Sequence, residues 1–186
     1  MSSISGFLFD MDGTLFDSSY ANVLAYRNAF EAAGLEFDEE KYNANFGLRF
    51  IEMMQQISPE SSEEQRILIK QAKRESYKEF LDRVEPNHGL INLLRTLASN
   101  YKTALVTTAS RDNVFNLLAH FDVDTSIFDC IITGEDVSNG KPDPECYIKA
   151  MEKLEVNPES CCIFEDSDAG VRAATNSGAS VIRVSM

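Results

Sequence analysis

The sequence is short of the features that would mark a zinc protein, a nucleic-acid binder or a membrane protein. It has two histidines, His88 and His120, and four cysteines, Cys130, Cys146, Cys161 and Cys162. No two cysteines are spaced as CxxC, which excludes a zinc framework. Cys130, Cys161 and Cys162 stand in apolar runs and read as small buried hydrophobes. Basic residues are scarce: 17 Lys and Arg face 30 Asp and Glu, for a formal net charge of -13. Such a surface disfavours nonspecific nucleic-acid binding, which needs cations to displace the phosphate counterions. It also repels anionic substrates at long range, so a phosphorylated substrate must be met by a few local cations and backbone N–H groups. No apolar run approaches a membrane span, and Met1-Ser2-Ser3-Ile4-Ser5 carries no basic region leading to a cleavage site. The expected setting is a reducing cytoplasm. Internal repeats and low-complexity segments are absent too.

What is present is an alternation of short apolar runs with amphipathic stretches. The runs are Gly6-Phe7-Leu8-Phe9, Thr103-Ala104-Leu105-Val106, Cys130-Ile131-Ile132, Cys161-Cys162-Ile163-Phe164 and Val181-Ile182-Arg183-Val184. Runs without polar alternation suit strands buried on both faces. Between the later runs, Val114, Leu117, Leu118 and Phe121 fall at helical spacing, as do Tyr147, Ile148, Met151 and Leu154 after Pro144. The pattern predicts an α/β fold, a Rossmann-like three-layer core with a parallel sheet. Residues 17–85 differ, showing no convincing strand. Ser18-Ser19 can cap a helix that Gly34 ends, Pro59 closes a helix over Ile51 to Ile57, and a long helix then runs toward Val84. Its start offers two capping boxes, Ser61 to Glu64 or Ser62 to Gln65. This stretch reads as a small all-helical unit inserted after the first strand, leaving residues 1–16 and 86–186 as the core.

Ligands of open parallel sheets bind outside the carboxyl ends of the strands, so the residues that follow each run belong together. They are Asp10, Asp12, Gly13 and Thr14; Thr107 and Thr108; Lys141 in the loop beyond the third run; and Glu165, Asp166, Ser167 and Asp168. Carboxylates, hydroxyls and one ammonium are what a metal-assisted phosphoryl transfer needs. Asp10 and Asp166 can supply oxygens to one Mg2+ ion. Of Asp10 and Asp12, which alternation puts on one side, one can attack phosphorus while the other protonates the leaving oxygen. Gly13 permits a sharp turn. The Thr107 hydroxyl and the Thr108 amide can donate to phosphate oxygens, and Lys141 can balance phosphate and carboxylate charge.

Phe7-Leu8-Phe9-Asp10-Met11-Asp12-Gly13-Thr14-Leu15, Leu105-Val106-Thr107-Thr108, Gly140-Lys141-Pro142-Asp143-Pro144-Glu145 and Phe164-Glu165-Asp166-Ser167-Asp168-Ala169-Gly170 resemble, in order, the four motifs of the haloacid dehalogenase superfamily. The resemblance covers nearly the whole chain and points to the subgroup with a helical cap after the first strand. It implies that Asp10 is the nucleophile of an aspartyl-phosphate and that Asp12 is the general acid, then the base. It further implies that Mg2+ is held by Asp10, the Asp12 carbonyl and Asp166 with Glu165 close by, and that Thr107 and Lys141 hold the phosphate. Asp12 favours phosphate esters, because dehalogenase members lack an acid there and phosphonate-cleaving members carry Ala. Hexose-phosphate mutase members place a histidine in the first cap helix, where this chain has Asn22. Gly47 and Arg49 resemble the substrate-facing cap loop, and Arg111 stands near the Thr107 loop. His88 reads as a loop or hinge residue. Family members normally continue past the fifth strand, and whether the end at Met186 is native or truncated stays open. The expected partner is a small phosphorylated metabolite, with no nucleic acid and no membrane; monomer and homodimer both stay open. The expected reaction is magnesium-dependent hydrolysis of a small phosphate monoester, with a phosphomutase and a phospho-accepting module as alternatives.

Overall fold

The computed structural model describes residues 3–186, and the reading of Met1 and Ser2 falls outside the described residues. In chain order the elements are β1 (Gly6–Phe9), β2 (Phe16–Asp17), α1 (Ser19–Ala32), α2 (Glu39–Ala44), α3 (Phe50–Ile57), α4 (Glu63–Tyr77), β3 (Glu85–Pro86), α5 (His88–Ala98), β4 (Lys102–Val106), α6 (Arg111–His120), β5 (Cys130–Ile132), α7 (Glu145–Leu154), β6 (Cys161–Glu165), α8 (Asp168–Asn176) and β7 (Ser180–Arg183). Five strands make one parallel sheet in the order β5-β4-β1-β6-β7. This is the α/β architecture that the alternation of apolar runs and helical periodicity implies.

β1 is central, with Gly6 to Phe9 in register with Lys102 to Leu105 on one side and Cys161 to Phe164 on the other. Its side chains alternate between two cores. Leu8 joins Val106, Ile132, Tyr147 and Met151, while Phe9 joins Leu94, Leu105, Leu117 and Phe164. Phe9 stacks on Phe164 with ring centroids 4.7 Å apart. Helices cover both faces, so β1 shows no polar alternation. Cys161 and Cys162 are buried, Cys130 only half so, and all four thiols are free.

Residues 19–77 fold into α1 to α4 around an apolar cluster of their own, with Val23, Tyr26, Phe30, Tyr42, Met54 and Ile69. Of the two possible capping boxes at α4, Ser62 and Gln65 form both halves. A 3-10 turn, Lys78–Arg83, prolongs that helix. One feature had no signal in the sequence: β2 and β3 pair antiparallel, Phe16 with Pro86 and Asp17 with Glu85. Strands of two residues are too short to leave a period-two pattern. The pair ties together the two ends of the helical stretch, and Asn87 reinforces it through its N–H to the Leu15 carbonyl (2.8 Å) and its side chain to the Thr14 carbonyl (3.2 Å). His88 is the exposed first residue of α5. Among the described residues no helix is long and apolar enough to cross a membrane.

Candidate active site

Parallel pairing brings the carboxyl ends of β1, β4, β5 and β6 to one edge. Asp10 follows β1, is 6% exposed, and donates its N–H to the Phe164 carbonyl at 3.0 Å. Its Oδ1 accepts from Lys141 Nζ at 2.6 Å, and the same ammonium donates to Glu165 Oε1 at 2.5 Å. Lys141 is itself 2% exposed. Glu165 also accepts from Tyr147 Oη (2.9 Å), the Ser167 N–H (3.0 Å) and the Ser167 hydroxyl (3.2 Å). Thr14 Oγ1 donates to Asp166 Oδ1 at 3.1 Å. Carboxylate oxygens of Asp10, Glu165 and Asp166 lie within 4.8 Å of one another.

This cluster holds more negative charge than one lysine offsets. Burial pushes the Asp10 carboxyl well above its ordinary range, and the neighbouring Glu165 and Asp166 add to that, against Lys141. Burial and then Glu165 push Asp166 up to about 6. Glu165 is also raised by burial, but Lys141 and its hydrogen bonds hold it below the ordinary value. Lys141 stays charged: burial works against it, and Asp10 and Glu165 outweigh burial. A buried, oxygen-only donor set with surplus negative charge fits a hard divalent cation.

Two glycines make room for these carboxylates. Gly13 adopts φ +86°, and a Cβ there would collide with the Asp166 carboxylate. A Cβ at Gly170 would collide with the Glu165 carboxylate. The turn after β1 that contains Gly13 is closed by the Leu15 and Phe16 N–H groups, both donating to the Met11 carbonyl at 3.0 Å.

Asp12 has a different environment. Its carboxylate accepts a short hydrogen bond from Ser18 Oγ. Asn22 Nδ2 donates to Ser18 Oγ and to the Ser18 carbonyl, both at 3.1 Å. Ser18 is the residue before α1, as expected, yet its side chain makes no capping bond; the hydroxyl is turned to Asp12. Thr107 is buried and accepts from the Ala109 N–H at 3.0 Å. Thr108 Oγ1 donates to the Gly47 carbonyl at 3.1 Å, joining the strand-β4 loop to the helical insert.

A cavity of about 340 Å³ lies between Asp12 and the insert. Asn22, Tyr26, Tyr42, Gly47, Lys73 and Thr108 are on its wall. The Lys73 ammonium sits 4.4 Å from the centroid of the Tyr77 ring and 5.4 Å from that of Tyr26. Burial lowers it to about 8, with the Asp12 charge acting in the opposite sense. Arg49 and Arg111 are not on that wall. Arg111 pairs with Asp136 at 2.8 Å. Arg49 engages Glu52 and the carbonyls of Val137 and Ser138.

Ser18, Asn22, Lys73 and Tyr147 are site residues whose contacts the sequence reading did not suggest, Asn22 having been marked only as the counterpart of the mutase histidine. The spacing of Ser18 and Asn22 at i and i+4, directly after Asp12, was the available signal for the first two. Lys73 had only Tyr77 at i+4, and it is one of several cations on a charged helix that includes Lys70, Arg66 and Arg74.

Residues 7–184 match the family model for haloacid dehalogenase-like hydrolases. A phosphorylated carbohydrates phosphatase of Thermotoga maritima is 32% identical over 176 residues, 92% of this chain and 80% of the relative. The crystal structure of CbbY from Rhodobacter sphaeroides in complex with phosphate superposes with a TM-score of 0.87 at 28% identity, covering 98% of this chain and 87% of that one. The crystal structure of beta-phosphoglucomutase from Clostridium difficile does so with a TM-score of 0.86 at 27% identity, covering 98% and 85%.

Proposed function

Because the chain belongs to the haloacid dehalogenase-like hydrolase family, we propose that it is a phosphatase that hydrolyses a small phosphate monoester, such as a sugar phosphate or phosphoglycolate, in two steps on Asp10. The observation that carries this reading is the contrast between two aspartates two positions apart. Asp10 is buried against Lys141, whereas Asp12 faces a cavity and is held by Ser18.

In the first step an Asp10 carboxylate oxygen attacks phosphorus and the ester P–O bond breaks. Asp12 gives its proton to the departing alkoxide oxygen. In the second step Asp12, now a carboxylate, takes a proton from water. The hydroxide oxygen attacks phosphorus, the bond to Asp10 breaks, and inorganic phosphate leaves. Lys141 sets the charge and position of Asp10, and with Thr107 and the Thr108 N–H it would cradle the phosphoryl oxygens. Asp10, Asp166 and the Asp12 carbonyl would hold Mg2+, with Glu165 beside them. Bound there, the ion would neutralise phosphoryl charge. Residues 17–85 would act as a cap that closes over the substrate and excludes bulk water. Lys73 would face the leaving group from that cap, a local cation in an acidic protein.

The test is phosphate release from a panel of phosphomonoesters with Mg2+, in wild type, Asp10→Asn and Asp12→Ala. Both variants are expected to lose turnover while keeping the fold. Undiminished release by Asp10→Asn would sink the nucleophile assignment. Turnover of a hexose phosphate that needs a bisphosphate activator and frees no phosphate would make the chain a phosphomutase instead.

A further inference from the structure

Arg49 lies at the start of α3 and resembles a substrate-facing cap residue, but its guanidinium is spent on the protein. Nη1 donates to the Val137 carbonyl at 3.0 Å and Nη2 to the Ser138 carbonyl at 2.9 Å. Nε is 3.2 Å from both Glu52 carboxylate oxygens, and Nη2 makes a further short bond to the same group. The Arg49 side chain is only 13% exposed. Its stem fills the space over Gly140, where an added Cβ would stand 2.6 Å from Nε and 2.9 Å from Cγ. Gly140 directly precedes Lys141, whose ammonium holds Asp10.

The same loop is gripped from the core side. The Glu145 carboxylate, at the start of α7, accepts from the N–H groups of Ser138 (2.9 Å) and Asn139 (2.8 Å). The core therefore takes the N–H groups of Ser138 and Asn139, while the insert takes the carbonyls of Val137 and Ser138 through Arg49 and the Gly140 backbone through Glu52. The fork meets two successive carbonyls and a carboxylate through three separate nitrogens, whereas a lysine gathers its donors on one atom and cannot span that set in the same geometry. The neighbouring Gly47 turn completes the docking, with its carbonyl on Thr108 and space for no more than a tight Cβ before Ser167, which an added one would meet at 3.1 Å.

We propose that Arg49 is a positioning residue, a fork that clamps loop 137–141 when the cap is closed and so seats Lys141 on Asp10. The role in turnover rests on the phosphatase reading above; the clamp itself does not. Losing the fork leaves Thr107 and the Thr108 N–H in place to hold the phosphate but lowers the share of bound enzyme in which Lys141 is seated. The cost falls on kcat rather than on substrate affinity.

The experiment combines steady-state hydrolysis of p-nitrophenyl phosphate with Mg2+ and hydrogen exchange of the peptide spanning 136–141. It compares wild type with Arg49→Ala, Arg49→Lys and Gly140→Ala. Gly140→Ala keeps every charge but drives the loop away from the guanidinium. All three are expected to lower kcat about tenfold with KM changed less than about threefold, and to speed exchange of the Ser138 and Asn139 amides. Wild-type exchange in Arg49→Ala would overturn the clamp. Faster exchange with unchanged kcat would overturn its link to Lys141. Wild-type kinetics in Arg49→Lys, or an effect confined to KM, would make Arg49 a plain substrate cation. Should wild type hydrolyse no phosphomonoester, the phosphatase reading fails, and the exchange arm still decides the clamp.

Discussion

Replacing Lys73 by Met is expected to stabilise the protein at neutral pH while impairing turnover. The side chain is charged, half-buried in the cavity wall, and lacks a carboxylate partner at ion-pair distance among the described residues; its neighbours are the Tyr77 and Tyr26 rings. Burial lowers its pKa from 10.5 to about 8. With about 1.4 kcal/mol for each pH unit, burying the charge costs about 3 kcal/mol. The ring contacts give back about 1 kcal/mol, and the solvent that still reaches the cavity wall screens part of the rest. The net gain from Met, which fills the same space and packs well on aromatic rings, is about 1–2 kcal/mol, or about 2–8 °C in Tm for a chain of this size. The sign with pH follows from proton binding. Below about 8 both folded and unfolded chains carry the proton, and wild type bears the full burial cost. Between there and 10.5 the unfolded chain binds more protons, so wild-type stability rises with pH. Thermal unfolding of both proteins at pH 7 and pH 10.5 should therefore show a gain for Lys73→Met that fades at the higher pH. A variant less stable than wild type at pH 7, or a gain equal at both pH values, would refute the reasoning. A stabilised variant with weak turnover is the pattern expected where a charge is kept for function at the expense of the fold.

Ser18→Ala should lower kcat about tenfold by freeing the Asp12 carboxylate, and cost about 1 kcal/mol from the lost hydrogen bonds; a full kcat would reduce Ser18 to a helix-start residue. Gly170→Ala should destabilise by about 1–3 kcal/mol in thermal unfolding, because its Cβ meets the Glu165 carboxylate. Ala in place of Gly within a helix normally stabilises by about 1 kcal/mol, so the sign alone is diagnostic. Chelation should abolish hydrolysis and Mg2+ should restore it. Asp166→Asn should raise the Mg2+ needed for half-activity by at least about tenfold, a loss that even outer-shell partners of a metal cause; chelator-resistant activity would remove the metal from the scheme.

The parts of the fold that were legible are those that physics makes insensitive to detail. A strand buried on both faces must be a continuous apolar run, and a parallel sheet must bring the residues after its strands to one edge, whatever the helices do. Asp10, Lys141, Glu165 and Asp166 could be collected that way from positions up to 156 apart in the chain. Their energetics could not. Nothing in Gly140-Lys141-Pro142 says that the ammonium ends in a sealed site between two carboxylates and the Tyr147 ring. The pair β2–β3 was hidden for the opposite reason: two residues on each side are fewer than any periodicity can register.

Residues of the helical insert were legible as helix but, beyond Gly47 and Asn22 on the cavity wall, hardly as site. Lys73 and Lys70 stand in one amphipathic helix; Tyr77 follows Lys73 by one turn in that helix, but only the docking of α4 on α1 brings the Tyr26 ring to it. Arg49 shows the limit most clearly. Its residue type and loop suggested a substrate-facing cation, but its partners are set by where loop 137–141 passes, a fact of tertiary packing. A guanidinium held ready for a phosphate would carry the four donors of its fork unpaired and facing solvent. Instead they are met by two carbonyls and Glu52 at 2.9 to 3.2 Å or less. A substrate would have to break that set to recruit the guanidinium, and hydrogen bonds to a charged group are worth about 1.5–3 kcal/mol each. The geometry therefore favours a residue that acts on the phosphate only at a distance, through the loop that carries Lys141.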